Sequence, residues 1–204
     1  MPLKISKQKA ILKAARKVLL AADSADVTME SIAREAGVAK GTLFLYYPSK
    51  DALLAAVHTD LTKAFVAELV SIMNHGSGGE QLLRCAVKAL IEHLARKTVL
   101  MDALGERHRC GLHGSLAAKS HGGNLKLARA AKVPAILGAL RSILEKCAAD
   151  GLITLEDPLY AASALFGLCR GSLAYSRGPG RSLSSANKAQ RVINIYLYGL
   201  RRKK

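Results

Sequence analysis

Over 204 residues, half of them apolar, the chain carries 31 Lys and Arg against 15 Asp and Glu, a formal charge of +16 at pH 7, with 4% aromatics and five prolines. A composition rich in Ala and Leu and poor in breakers favours helix over sheet, and the charge excess favours a polyanionic partner, nucleic acid ahead of an anionic membrane. No apolar run nears the roughly 20 residues of a spanning helix, and Met1-Pro2-Leu3-Lys4 opens no signal peptide, so a cytoplasmic protein with no membrane partner is expected.

The first periodic segment, about Ser6 to Ala22, sets Ile11, Leu12, Ala15, Val18 and Leu19 on one face and Lys7, Lys9, Lys13, Arg16 and Lys17 elsewhere, an amphipathic helix with a basic exterior. A polar break at Asp23-Ser24-Ala25-Asp26 follows, and Thr28 then stands where a hydroxyl caps a helix carrying Met29, Ile32, Ala33 and Ala36. Gly37 stops it. Lys40 to Tyr47 make about two further turns before Pro48. Ser49 caps a long helix bearing Leu53, Leu54, Val57, Leu61, Phe65, Leu69 and Ile72, which ends in the loop His75-Gly76-Ser77-Gly78-Gly79.

Leu82, Leu83, Ala86, Val87, Leu90, Ile91 and Leu94 recur at helical spacing, and a less regular stretch from Lys97 to Gly123 is expected to hold one short helix. A further helix is expected from Asn124 to Asp150, kinked or restarted at Pro134, with Ile136, Leu137, Leu140, Ile143, Leu144 and Cys147 inward and Gly151 as its stop. Asp157-Pro158 supplies a cap and a first-turn proline for a helix reaching Tyr175, and a last helix spans Ser185 to about Leu200. The fold class is therefore all-α.

Two short helices flanking Gly37 have the form of a helix-turn-helix. A helix that enters a major groove must be crossed closely by a supporting one, which calls for small residues and a sharp turn, here Ala33, Ala36 and Gly37. Leu43 and Tyr47, spaced i and i+4, face inward with Ile32 and Val38, and Lys40, Thr42, Leu45 and Tyr46 are left outside. The run Ile32-Ala33-x-x-Ala36-Gly37-Val38-Ala39-Lys40-Gly41-Thr42-Leu43-Phe44-x-Tyr46-Tyr47-Pro48-Ser49-Lys50-Asp51-x-Leu53 resembles the DNA-binding signature of the TetR family of transcriptional regulators.

That resemblance covers about the first quarter of the chain. It implies an amino-terminal three-helix DNA-binding domain, residues 1–50, and a larger helical ligand-binding and dimerisation domain, residues 51–204. It further implies that Thr28 and Lys50 hold phosphates at helix starts, that Tyr46 bonds another, and that Lys40, Gly41 and Thr42 approach base edges, with Leu45 on the same outer face. The chain departs from the pattern in three places. Phe44 and Tyr47 stand where the family has Tyr and Phe, which removes a phosphate contact at position 44, and Asp23-Ser24 replaces a Gly-aromatic pair.

One recognition helix reads only a few base pairs, so useful specificity needs two copies about 34 Å apart on double-stranded operator DNA. A homodimer is expected through the last two helices, with Ala162, Leu165, Phe166, Cys169 and Leu173 on one and Ala189, Val192, Ile193, Tyr196, Leu197 and Leu200 on the other. Gly167 and Gly171, which weaken their helix, suggest close backbone approach. The alternative is that these faces only complete the core of one chain, because amphipathicity does not reveal what covers it.

The family further implies a small-molecule effector that releases a repressor from its palindromic operator. Phe65, Leu69, Met73, Met101, Leu104, Leu137, Leu140 and Leu168 are candidates for its pocket, or for plain core. Residues 1–50 carry nine basic and four acidic groups, +5, which leaves +11 elsewhere. Lys97, Arg107 and Arg109, with the tail Arg201 to Lys204, are compatible with an anionic or acyl-bearing effector, although solvation or added DNA attraction explains the same charges better.

The four cysteines, Cys85, Cys110, Cys147 and Cys169, form no CxxC pair and read as free thiols. His108, Cys110 and His113 offer three potential metal ligands within six residues, but nothing supplies a fourth ligand, so neither metal nor cofactor is expected. No GxSxG elbow, HExxH pair or phosphate-binding Gly loop occurs, which argues against an enzyme. The competing reading is a nonspecific DNA-packing protein, whose binding would depend steeply on salt and prefer no operator.

Overall fold

Short polar caps and glycine stops divide the chain into helices. The computed structural model describes residues 2–21, 27–75, 78–102, 133–176 and 183–199, which form eight helices and no strand. In chain order they are α1 (Pro2–Ala21), α2 (Met29–Glu35), α3 (Lys40–Tyr46), α4 (Lys50–Asn74), α5 (Gly79–Asp102), α6 (Val133–Ala149), α7 (Pro158–Tyr175) and α8 (Ser185–Tyr198). The all-α expectation holds.

Two boundaries differ from the sequence reading. α1 begins at Pro2, whose missing N–H costs nothing in a first turn. α5 runs on through Lys97 to Asp102, because neither Gly nor Pro interrupts it there. The short helix expected beyond it and residues 124–132 lie outside the described residues. The described part of α6 begins at Val133, with Pro134 in its first turn.

The caps are side-chain acceptors for backbone N–H groups that have no partner within the helix. Asp157 Oδ1 accepts from Leu159 N and Tyr160 N, each at 2.9 Å. Ser49 Oγ accepts from Ala52 N at 3.1 Å, and Ser184 Oγ from Asn187 N at 3.2 Å. α6 closes on Gly151 at φ +75°, where Leu152 N donates to Cys147 O and Gly151 N to Ala148 O, both at 3.0 Å. These two bonds satisfy the carbonyls that the helix end would leave bare.

The chain divides into two compact units, Met1–Leu61 with Arg96–Ala131, and Thr62–Ala95 with Lys132–Lys204. In the first, Ile11, Ala15 and Leu19 of α1 close with Val27, with Ile32 and Ala33 of α2, with Leu43 of α3 and Tyr47, and with Leu53, Leu54, Val57 and Leu61 of α4. Each fully buried aliphatic side chain contributes about 1.5–3 kcal/mol against the entropy of ordering the chain.

In the second unit, Phe65 and Leu69 of α4 join Leu82, Leu83, Val87, Leu90 and Ile91 of α5, the inward row of α6 from Ile136 to Cys147, and the inner faces of α7 and α8. α6 packs on α7, and α7 on α8. Phe65 stacks on the buried His93 ring at 4.2 Å between centroids. Tyr196 Oη donates to Ala161 O at 3.1 Å, tying α8 to α7. Burial pushes the Cys147 thiol up to about 11 and the Cys169 thiol up to about 12, so both are protonated free thiols at neutral pH.

Candidate nucleic-acid interface

α2 is only seven residues long, too short to persist without help from its ends and its packing. Thr28 supplies the start: its Oγ1 accepts from Ser31 N at 3.0 Å, while Ser31 Oγ accepts from Thr28 N at 3.1 Å, a reciprocal capping box. Gly37 supplies the stop at φ +65°, with Val38 N donating to Ala33 O at 3.0 Å and Gly37 N to Arg34 O at 3.2 Å. This left-handed position reverses the chain within three residues, so α3 begins at Lys40 and packs back on α2.

Beneath the turn, Ala33 is buried and Leu43 is fully buried against Ile32. Tyr47 is buried too, and that burial pushes its phenol up. Its ring takes the core place that the sequence pattern assigns to Phe. Val38 is half-buried at the edge of the same cluster. The inward set read from the sequence is the set found inside.

The cations of this unit bind its elements to one another. Lys50 Nζ, half-buried at the start of α4, donates to Val27 O at 2.6 Å, which pins that helix beside the entry to α2. Lys17 Nζ of α1 meets Glu35 Oε1 at 2.6 Å, and Arg16 Nη1 meets Asp60 Oδ2 of α4 at 3.2 Å. Lys40 Nζ lies 3.5 Å from Glu30 Oε2, both exposed. Such exposed pairs contribute little and exchange readily, so Lys40 is available to another anion.

On the outer side of α3, Leu45 is 87% exposed and Phe44 40%. Gly41 is exposed, and Thr42 and Tyr46 are half-buried. Thr28, at the start of α2, is exposed as well. Phe44 is not among the contact residues that the sequence pattern marks; the Phe in place of the expected Tyr is the available signal, and only the packing shows it facing outward.

The sequence of this unit matches the profile of bacterial regulatory proteins, tetR family, over residues 11–57, from the middle of α1 into α4. Residues 11–57 thus form a DNA-binding domain of the tetR type. No curated protein matches it. Among solved structures, the chain resembles the fatty acid degradation regulator FadR from Bacillus halodurans, at 22% identity and a TM-score of 0.72, covering 97% of each chain. It also resembles FadR from Bacillus subtilis, solved in complex with stearoyl-CoA, at 18% identity and a TM-score of 0.69, over 95% of this chain and 99% of the other. A third is Thermus thermophilus FadR, a TetR-family transcriptional repressor solved with lauroyl-CoA, at 20% identity and a TM-score of 0.62, over 97% and 96%. These likenesses extend the TetR-type fold over the second unit.

In that unit the structure redistributes the residues expected at a dimer interface. Ala162, Leu165, Phe166, Cys169, Ala189, Val192 and Ile193 are buried inside a single chain. Helices of the same chain cover them, so they do not present a surface to a second copy. Leu173, Tyr196 and Leu197 are half-buried at the edge of that core. Gly167 and Gly171 face outward, and a Cβ at either would meet nothing within 4 Å. Among the described residues of α7 and α8, the exposed large apolar side chains are Leu159, Tyr160 and Tyr175 on α7 and Ile195 and Tyr198 on α8. Leu200 lies outside the described residues.

Of the pocket candidates, Phe65, Leu69 and Leu140 are buried in the core of this unit, and Met73, Leu137 and Leu168 pack half-buried against it. The side chains of Met101 and Leu104 lie outside the described residues, as do Arg107, His108, Arg109, Cys110, His113 and the tail from Arg201. Among the described residues no group of three His, Cys, Asp or Glu side chains could hold a metal ion. Nor is any described helix long and apolar enough to cross a membrane.

Proposed function

We propose that the chain is a homodimeric, ligand-responsive transcriptional repressor that occupies a palindromic operator and is released by a small-molecule effector. The observation that carries this reading is the α2–turn–α3 unit, held by its capping box and Gly37 and matched to the tetR profile. Residues 1–50 serve as the DNA-binding domain and residues 51–204 as the ligand-binding and dimerisation domain. It acts in the cytoplasm and carries out no catalysis.

On DNA, Thr28, Tyr46 and Lys50 hold backbone phosphates, while Lys40, Gly41, Thr42 and Leu45 approach base edges. Backbone contacts fix the register, and base contacts supply the sequence information. Lys50 keeps its bond to Val27 O and still has ammonium protons for a phosphate, since Lys carries three donors.

The dimer forms through the outer faces of α7 and α8. Leu159 and Tyr160 are exposed on α7, as are small Ser163, Ala164, Gly167, Gly171 and Ala174, and Ile195 and Tyr198 are exposed on α8. Open space around Gly167 and Gly171 means the chain's own packing gives no reason for glycine there. A close helix crossing from a second copy does.

The effector is anionic and acyl-bearing, of the acyl-coenzyme A class. Support comes from the two FadR structures solved with stearoyl-CoA and lauroyl-CoA and from the +11 charge outside residues 1–50. To empty a largely occupied operator, such a ligand must favour the released form by several kcal/mol, about 5.5 for a shift from 99:1 to 1:99.

Selection of binding sites from a random DNA pool at near-physiological salt tests the reading. The expected product is one palindrome with half-sites about one helical turn apart, whose complex dissociates with lauroyl- or stearoyl-CoA and not with free coenzyme A. Recovery of unrelated sequences with steep salt dependence would instead favour the nonspecific packing protein.

A further inference from the structure

Helix α3 places an aliphatic side chain where a soluble helix ordinarily puts a polar one. Leu45 is 87% exposed, and Phe44 beside it is 40% exposed. Gly41 lies one turn before Leu45, at i and i+4, so the two share a face. Neither residue is explained by the packing of its own chain. Leu45 belongs to no core cluster, and a Cβ at Gly41 would meet nothing within 4 Å. Its φ is not positive, so the helix does not demand glycine either.

We infer that Gly41 and Leu45 form a contact surface for the 5-methyl group of thymine, and that this contact sets the operator sequence at one position of each half-site. The inference rests on the proposed DNA-reading role of α3. In the major groove the thymine methyl is the one apolar feature of a base edge, and it is recognised by apolar side chains. Leu45 supplies such a side chain, and the absence of a side chain at Gly41 lets the base edge approach the helix backbone beside it. Phe44, next to Leu45 in the chain and 40% exposed, adds a second apolar side chain on the outer side of α3.

Charge complementarity favours duplex DNA as the occupant over a second apolar protein surface. Residues 1–50 carry +5. Exposed Lys40 stands one residue before Gly41 on α3, and Thr42 one residue after it. A bare apolar patch without flanking cations would not be steered onto a polyanion.

The test replaces each operator thymine in turn by deoxyuridine, which removes the methyl and leaves Watson–Crick pairing intact. Binding is read by anisotropy with the full-length protein. In the wild type, uracil at that position of one half-site should weaken binding about 4-fold, and about 15-fold when both half-sites are changed, as expected for the loss of one buried methyl each. Leu45→Ala should bind the thymine operator more weakly and no longer distinguish the two bases. Because Leu45 is exposed, this variant should fold as the wild type does. Gly41→Ala should raise or leave unchanged the melting temperature while weakening operator binding.

An operator that tolerates uracil at every position overturns the inference while leaving the repressor reading intact. So does a Leu45→Ala protein that keeps full thymine preference. If site selection returns no operator, both fall together.

Discussion

Replacing Gly37 by Ala is a test of the turn on which the DNA-reading unit depends. The residue sits at φ +65°, and a Cβ there would meet nothing within 4 Å, so the cost is confined to the backbone. Holding an L-residue in the left-handed region costs about 1–2 kcal/mol. Ala also restricts the unfolded chain, which returns about 0.4–1 kcal/mol. The net expectation is a destabilisation of about 1 kcal/mol, or about 2–4 °C in melting temperature for a chain of this size. Asn tolerates this conformation better than Ala, so Gly37→Asn should fall between the wild type and Gly37→Ala.

Urea denaturation followed by far-ultraviolet circular dichroism measures the difference, with an unchanged m-value showing that the same surface is exposed. Operator affinity should fall alongside, because Val38 N–Ala33 O and Gly37 N–Arg34 O are the bonds that set the angle between α2 and α3. An Ala variant as stable as the wild type would refute the argument. An Asn variant no better than Ala would do the same.

Replacing Lys50 by Ala should weaken binding to every DNA sequence and reduce the salt slope by about 1 per lysine removed, thus about 2 for a dimer, in a filter-binding salt titration. Thr42→Ala should instead change which sequences win in site selection while leaving that slope nearly intact. Stability should decline in alkali. Burial pushes Cys147 up to about 11, and Cys169 and Tyr196 up to about 12, from ordinary values of 9.0 and 10.0. The unfolded chain therefore ionises first, so stability is fully present below about pH 9 and is lost as pH rises towards 11–12, by up to about 1.4 kcal/mol per pH unit for each group. Denaturation midpoints from pH 8 to 11 check this. Mapped thiol labelling at pH 8 should modify half-buried Cys85 in the native protein, and Cys147 and Cys169 only after unfolding.

Much of the fold was written locally. Thr28, Gly37, Pro48, Ser49, Gly151 and Asp157-Pro158 mark helix ends through hydrogen bonds and dihedral limits that span only a few residues. Each lies where the sequence pattern placed it, and the inward set of α2 and α3 followed from simple helical spacing. The helix-turn-helix was legible for the same reason: its geometry is built from neighbours in the chain.

Which surface covers which face was decided only in three dimensions. Leu165, Phe166 and Cys169 form an apolar stripe that the sequence reading assigns to a dimer face, with a monomer core as the alternative. In the folded chain α5, α6 and α8 complete a core around that stripe, while Tyr160, Gly167, Gly171 and Tyr198 remain outside. The period of a helix says that a face is buried and carries no information about the partner, which comes from residues distant in sequence. The same holds for Lys50, whose bond to Val27 O spans 23 positions, and for Leu45, whose exposure depends on how α3 seats Leu43 and Tyr47 against the rest of its unit.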